Sequence, residues 1–147
     1  MTADELLAQL LKGLPEIQQV CIQSQFGLTV SSVINEGSAA EMTVPAVAPM
    51  AYANVSELLG RLGGGATRAL VCRSAHATIV QAAAGTDVPL VVTVRLAVSA
   101  DVERTLQLLP TLLAALEPLC IAADSFARRC WHIAAAFAQL SRSLSIS

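Results

Sequence analysis

The stretch Pro89-Leu90-Val91-Val92-Thr93-Val94 limits the fold more than any other part of this chain. It is nearly continuous in aliphatic residues, so both of its faces have to be covered. Val88–Leu96 is therefore expected to be a central strand with helices on at least one side. Pro89 stands at its start, where a missing ladder donor does least harm. Ile17–Ser24 and Leu28–Ile34 are joined by Gln25-Phe26-Gly27, short enough for a hairpin with Gly27 at a position of positive φ. Val20 and Ile22 alternate with Cys21 and Gln23, as a half-buried strand requires. Thr67–Arg73 and Ala77–Ala83 flank Ser74-Ala75-His76 as a second hairpin, and Gly85-Thr86-Asp87 turns the chain into the central strand.

Four helices complete the pattern. Thr2-Ala3-Asp4-Glu5 reads as a capping box. Leu6, Leu7, Leu10, Leu11 and Leu14 follow as an apolar stripe, stopped by Gly13 in a left-handed φ and by Pro15. A second helix is expected from about Glu41 to Leu62, ending in Gly63-Gly64-Gly65, with Pro49 kinking it or delaying its start. Val44, Val47, Ala48, Ala51, Val55, Leu58, Leu59 and Leu62 fall on one face, expected to be the core face. Ala46, Pro49, Ala53, Ser56 and Gly60 fall opposite. That small-residue face is either a bland solvated surface or a place where a second helix approaches closely. The third helix begins near Ser99 as N-cap, with Asp101 and Glu103 in its first turn, and reaches Glu117-Pro118. Beyond it, Phe126, Cys130, Ile133, Phe137, Leu140 and Leu144 recur at helical spacing over about Leu119–Leu144.

At 147 residues the chain fits one domain. Hydrophobic residues make up 54% and charged residues 14%, which excludes disorder and implies that a partner covers some apolar surface. The net charge is −2 and the longest basic cluster is Arg128-Arg129, so no footprint for nucleic acid or anionic lipid is present. Six acids against one base up to Gly60 give way to eight arginines against five acids afterwards. No membrane span is expected, because Leu106–Ala123 is broken by Glu117, Pro110 and Pro118. The acidic N-terminus is unlike a signal peptide, which makes a soluble cytoplasmic protein the expectation. Cys21, Cys72, Cys120 and Cys130 show no paired spacing and sit among apolar neighbours, as reduced core thiols do. One lysine against eight arginines, with abundant alanine, points to a GC-rich bacterial source.

Chemistry is hard to find. His76 falls in a turn, and His132 has no acid one helical turn away, so both read as surface residues. Cys130-Trp131-His132 with Cys120 lacks the second ligand pair of a structural zinc site. Gly60-Arg61-Leu62-Gly63-Gly64-Gly65 follows a helix and lacks the lysine of a phosphate loop, so it is read as a helix cap. No GxSxG or HExxH is present. Neither an enzyme nor a cofactor is expected, and a ligand-binding sensor would need convergent polar groups that the sequence scarcely offers.

The element order and several segments resemble the Roadblock family, the dynein-light-chain-like domains, and within it bacterial MglB-type proteins. The carriers are Gly13-Leu14-Pro15-Glu16-Ile17, Gln25-Phe26-Gly27-Leu28, Leu58-Leu59-Gly60-Arg61-Leu62-Gly63 and the apolar strand from Pro89. The resemblance covers about residues 3–117, so the expected division is a Roadblock-like domain over 1–117 and an amphipathic helical extension over 118–147. It implies an α+β, profilin-like fold: a five-stranded antiparallel sheet with one long helix on one face and two on the other. It also implies a homodimer in which Thr67–Arg73 pair edge to edge and the second helices cross. The residues then expected at the dimer or partner surface are Ala46, Pro49, Met50, Ala53, Ser56, Glu57, Gly60, Arg61, Arg68, Leu70 and Cys72. The resemblance further implies a regulator of a small Ras-like GTPase that inserts no arginine finger, or alternatively a dimeric signalling scaffold with no GTPase partner.

Overall fold

Leu90–Leu96 lies in the middle of a five-stranded antiparallel sheet, between Ile17–Ser24 on one side and Thr78–Ala84 on the other. The computed structural model describes residues 3–35, 45, 47–84 and 90–115. Along the chain the elements are α1 (Ala3–Lys12), β1 (Ile17–Ser24), β2 (Thr29–Ile34), α2 (Ala48–Arg61), β3 (Leu70–Arg73), β4 (Thr78–Ala84) and β5 (Leu90–Leu96). A third helix, α3, occupies residues 102–115. The strand order β2-β1-β5-β4-β3 places the apolar run at the centre and leaves β2 and β3 as the two edges. The Thr2 cap, the start expected for the second helix at Glu41, Ala46, the Gly85–Asp87 turn, Pro89 and the whole of 116–147 lie outside the described residues.

The alternation in the strands divides the sheet into two unlike faces. Val20 and Ile22, Val80, Ala82 and Ala84, and Leu90, Val92, Val94 and Leu96 share one face with Leu7 and Leu11 of α1 and with Val102, Leu109 and Leu112 of α3. This is the core, and each large side chain buried there contributes on the order of 1.5–3 kcal/mol. The opposite face is buried too, yet it carries Gln19, Cys21, Gln23, Gln81 and Thr93. α2 lies on this polar side. Gln81 Nε2 donates to the Ala48 carbonyl and to Thr93 Oγ1, each at 3.2 Å, and Gln23 Nε2 donates to the Pro45 carbonyl at 3.3 Å. Buried amides are tolerated there because these bonds replace water.

Helix ends are set by contacts of different range. Pro49 is in the first turn of α2, where a missing N–H costs nothing, so it fixes the helix start instead of kinking its interior. At the other end Gly64 N–H donates to the Leu59 carbonyl (2.8 Å) and Gly63 N–H to that of Gly60 (3.1 Å), with Gly63 at φ +79°. This is the glycine cap expected from the sequence. α3 is capped by Asp101, whose Oδ1 accepts from Arg104 N–H at 3.4 Å, and not by Ser99. Gly13 does not adopt a left-handed φ. The end of α1 is closed by Leu14 N–H donating to the Leu11 carbonyl (3.0 Å) and, from a distance, by Asn35 Nδ2, which donates to the carbonyls of Leu11 (3.2 Å), Leu14 (3.2 Å) and Ile17 (2.9 Å).

Candidate interaction surface

α2 turns Pro49, Tyr52 and Ser56 inward. Pro49 and Tyr52 are buried, Ser56 is half-buried with its Oγ fully enclosed, and Tyr52 Oη donates to the Thr67 carbonyl at 3.4 Å. The stripe expected to be the core face points largely the other way. Val47 is 56% exposed, Met50 59%, Leu58 55% and Leu62 73%. The reason lies beneath the helix: a sheet face built from glutamines and threonine takes hydrogen bonds and small side chains, and has little use for a leucine stripe. The outward residues form an apolar band on a helix with no described element above it, which makes it the candidate interaction surface.

The residues expected at the dimer or partner surface therefore separate. Met50, Ala53, Glu57, Gly60 and Arg61 are on exposed parts of α2, whereas Pro49 and Ser56 face the sheet. Glu57 and Arg61 pair at 2.8 Å across one helical turn, both largely in solvent, a contact that contributes about 0.3–0.5 kcal/mol. Arg68 precedes β3 and is exposed, Leu70 is half-buried on it, and Cys72 is exposed. The expectation that every cysteine is a core thiol is corrected here, because Cys72 is on an edge strand with no neighbouring strand outside it among the described residues. Val47, Leu58 and Leu62 are the outward residues that helical periodicity assigned to the core. The signal that could have found them is the glutamine alternation in β1, which already marks the second sheet face as polar.

Nothing described is arranged for bond chemistry. His76 is exposed in the turn between β3 and β4, and no cluster of three or more metal-binding side chains occurs among the described residues. Burial pushes the Cys21 thiol up, outweighing the lowering by hydrogen bonds with Ser32 and Thr29, so it is held as a protonated thiol. One hollow beside Leu14, Ile17, Leu109 and Leu112 has about 20 Å³, and another beside Leu11, Lys12 and Asn35 about 50 Å³. Small-molecule sites measure roughly 300–1,000 Å³. No described helix is long and apolar enough to cross a membrane.

Arg95 ends the polar sheet face, and its Nε and Nη1 are buried without a hydrogen-bond partner among the described residues. Enclosed donors of that kind destabilise the fold. Arg95→Met, which keeps the length and removes the donors, is expected to raise stability by about 1 kcal/mol, read as a higher urea midpoint at unchanged slope.

Solved structures share this fold. The Roadblock/LC7 domain from Streptomyces avermitilis matches with a TM-score of 0.68 at 20% identity, over 82% of this chain and 99% of that one. The gliding protein MglB of Thermus thermophilus matches with 0.62 at 14% identity, over 78% and 88%. Myxococcus xanthus MglB matches with 0.66 at 12% identity, over 81% and 94%. No protein-family model and no curated protein sequence matches the chain.

Proposed function

We propose that this chain, built on the Roadblock/LC7 fold, works as a homodimeric adaptor that binds and regulates a small Ras-like GTPase in the bacterial cytoplasm. The observation that carries the reading is the outward apolar band of α2, with Val47, Met50, Leu58 and Leu62 each more than half exposed. A band of this kind on a chain whose described residues offer no catalytic constellation is built for association. The MglB structures of the same fold support the choice of partner class, together with the sequence resemblance to MglB-type proteins. In this reading residues 1–117 form the dimerising domain and 118–147 an amphipathic extension, and no arginine is inserted into the partner.

The test uses purified protein and each small GTPase encoded near its gene. A co-eluting complex in the GTP-bound state, with hydrolysis accelerated at least tenfold, is the expected result. A complex without acceleration keeps the adaptor and removes the regulation of hydrolysis. Absence of any complex leaves the dimeric scaffold as the better reading.

A further inference from the structure

The two sides of the sheet are held by different forces. Val20, Ile22, Val80, Val92 and Val94 share one core with aliphatic side chains of α1 and α3, and no residue of α2 belongs to it. Of the fourteen residues of α2, only Pro49 and Tyr52 are buried. What fastens this helix is polar: Gln81 Nε2 donates to the Ala48 carbonyl, and Tyr52 Oη to that of Thr67. Water can take over each of these bonds, so breaking them costs little net. The apolar area under α1 and α3 has no such substitute. Nor does the sheet depend on α2 for its pairing. β2 pairs with β1 except at Val30, a bulge left between Ile22–Ser31 and Gln23–Thr29, and β3 pairs with β4 without interruption.

Two further features favour release of the helix. Ser56 Oγ on α2 and Thr67 Oγ1 on the approach to β3 are enclosed without a hydrogen-bond partner among the described residues. An enclosed hydroxyl of this kind carries a desolvation cost that water removes once the helix moves. Behind α2, Gly63, Gly64 and Gly65 form an exposed joint, with φ +79° at Gly63 and +74° at Gly65. A Cβ at either of these two positions would meet open space, so the joint turns without pressing on a neighbour.

We propose that α2 is a hinged cover, which lifts from the sheet as one unit about Gly63–Gly65 while the sheet, α1 and α3 stay folded. Lifting bares Gln81 and Thr93, polar groups that water receives readily, and it frees the enclosed hydroxyls of Ser56 and Thr67. Its cost lies in uncovering Pro49 and Tyr52, a small apolar area beside the core that remains intact. The motion belongs to one chain and needs no partner, so it stands apart from the proposed function. It would nevertheless control that function. A partner seated on the outward band holds a helix whose attitude to the sheet otherwise changes, so seating of the partner and docking of α2 are coupled.

Native-state hydrogen exchange of the full chain in dilute urea reads the opening. The amides of Tyr52–Leu59 should share one opening, about a hundredfold or more as frequent as that of Val92–Val94 at the sheet centre. Its urea slope should be the smaller, since less surface is bared. Ser56→Ala removes an enclosed hydroxyl and should slow exchange throughout α2 by about fivefold, with Val92–Val94 unchanged. Gln81→Ala removes a tether and should hasten exchange in α2 by about fivefold more than in Val92–Val94. The same measurements on Leu58→Glu remove any clamping by a second copy. If α2 opens ahead of the sheet in both proteins, the hinge holds whatever becomes of the dimer. If it does so only in Leu58→Glu, the hinge holds and the second copy is its clamp. Equal protection and equal slope for α2 and the sheet in both proteins would mean that the helix leaves only with the whole fold, and would overturn the proposal. Amides of α2 that exchange each at its own rate and ignore both substitutions would overturn it too, since that is fraying within a docked helix.

Discussion

Leu58→Glu is expected to convert the proposed dimer to monomers while moving the unfolding midpoint of the single chain very little. Leu58 is 55% exposed in the middle of the outward band of α2, with Met50 and Leu62 on the same side. Within one chain the change is mild, because leucine and glutamate are both good helix formers and an exposed position away from special contacts shifts stability by about 0.5 kcal/mol or less. Between chains it is severe. Two-fold symmetry presents the substituted position twice, and an apolar anchor truncated at an interface costs about 2–4 kcal/mol each time. The dimer should weaken roughly thousandfold or more, which sedimentation equilibrium reads directly. Ala53→Arg is the counter-test. Ala53 is exposed on the small-residue flank of the same helix, beside Gly60. Monomers from Ala53→Arg with an intact dimer from Leu58→Glu would place the contact on that flank and not on the apolar band.

Asn35→Asp is expected to be the most damaging single-atom exchange in the fold. The Asn35 amide nitrogen shares its two hydrogens among three main-chain carbonyls, those of Leu11, Leu14 and Ile17. It thus joins the end of α1, the start of β1 and the end of β2. Asn35→Ala removes the donor that bridges these carbonyls, although those of Leu11 and Leu14 keep the N–H groups of Leu14 and Ile17, so a cost of about 1 kcal/mol is expected. Asn35→Asp is worse at neutral pH, since it turns a carboxylate toward three carbonyl oxygens, and about 3 kcal/mol or more is expected. A chain of this size has roughly 5–15 kcal/mol of stability in total, so the urea midpoint should fall sharply for Asp and measurably for Ala. An Asn35→Ala chain as stable as the parent would refute the capping role.

The difference between these two sites also shows what can be read from sequence. The strand plan was legible because it is local: the run from Pro89 to Val94 demanded a central position, and β5 has it. β1 occupies Ile17–Ser24, as its alternation predicts, and Gly27 turns the hairpin with φ +86°. The cap of α1 was not legible. Gly13 offers the usual local signal, but beside the backbone N–H of Leu14 the protecting group comes from Asn35, 21 residues beyond Leu14, and no spacing rule announces it. The orientation of α2 failed for a related reason. Periodicity finds an apolar stripe but not the direction it points, which depends on the sheet beneath. Gln81 and Gln23 make that sheet face polar, so the stripe is released outward while Pro49, Tyr52 and Ser56 are drawn in. Met50 was identified as a surface residue, whereas Val47, Leu58 and Leu62 were assigned to the interior by the same regularity that makes them useful outside.

Val30, the extra residue in β2, sets a limit on growth. If both borders of the sheet accepted neighbours, each added molecule would expose a fresh acceptor and the protein would polymerise into ribbons. With one border straight and the other buckled, any joining of copies along the sheet would have a single valence per molecule and would end after one step.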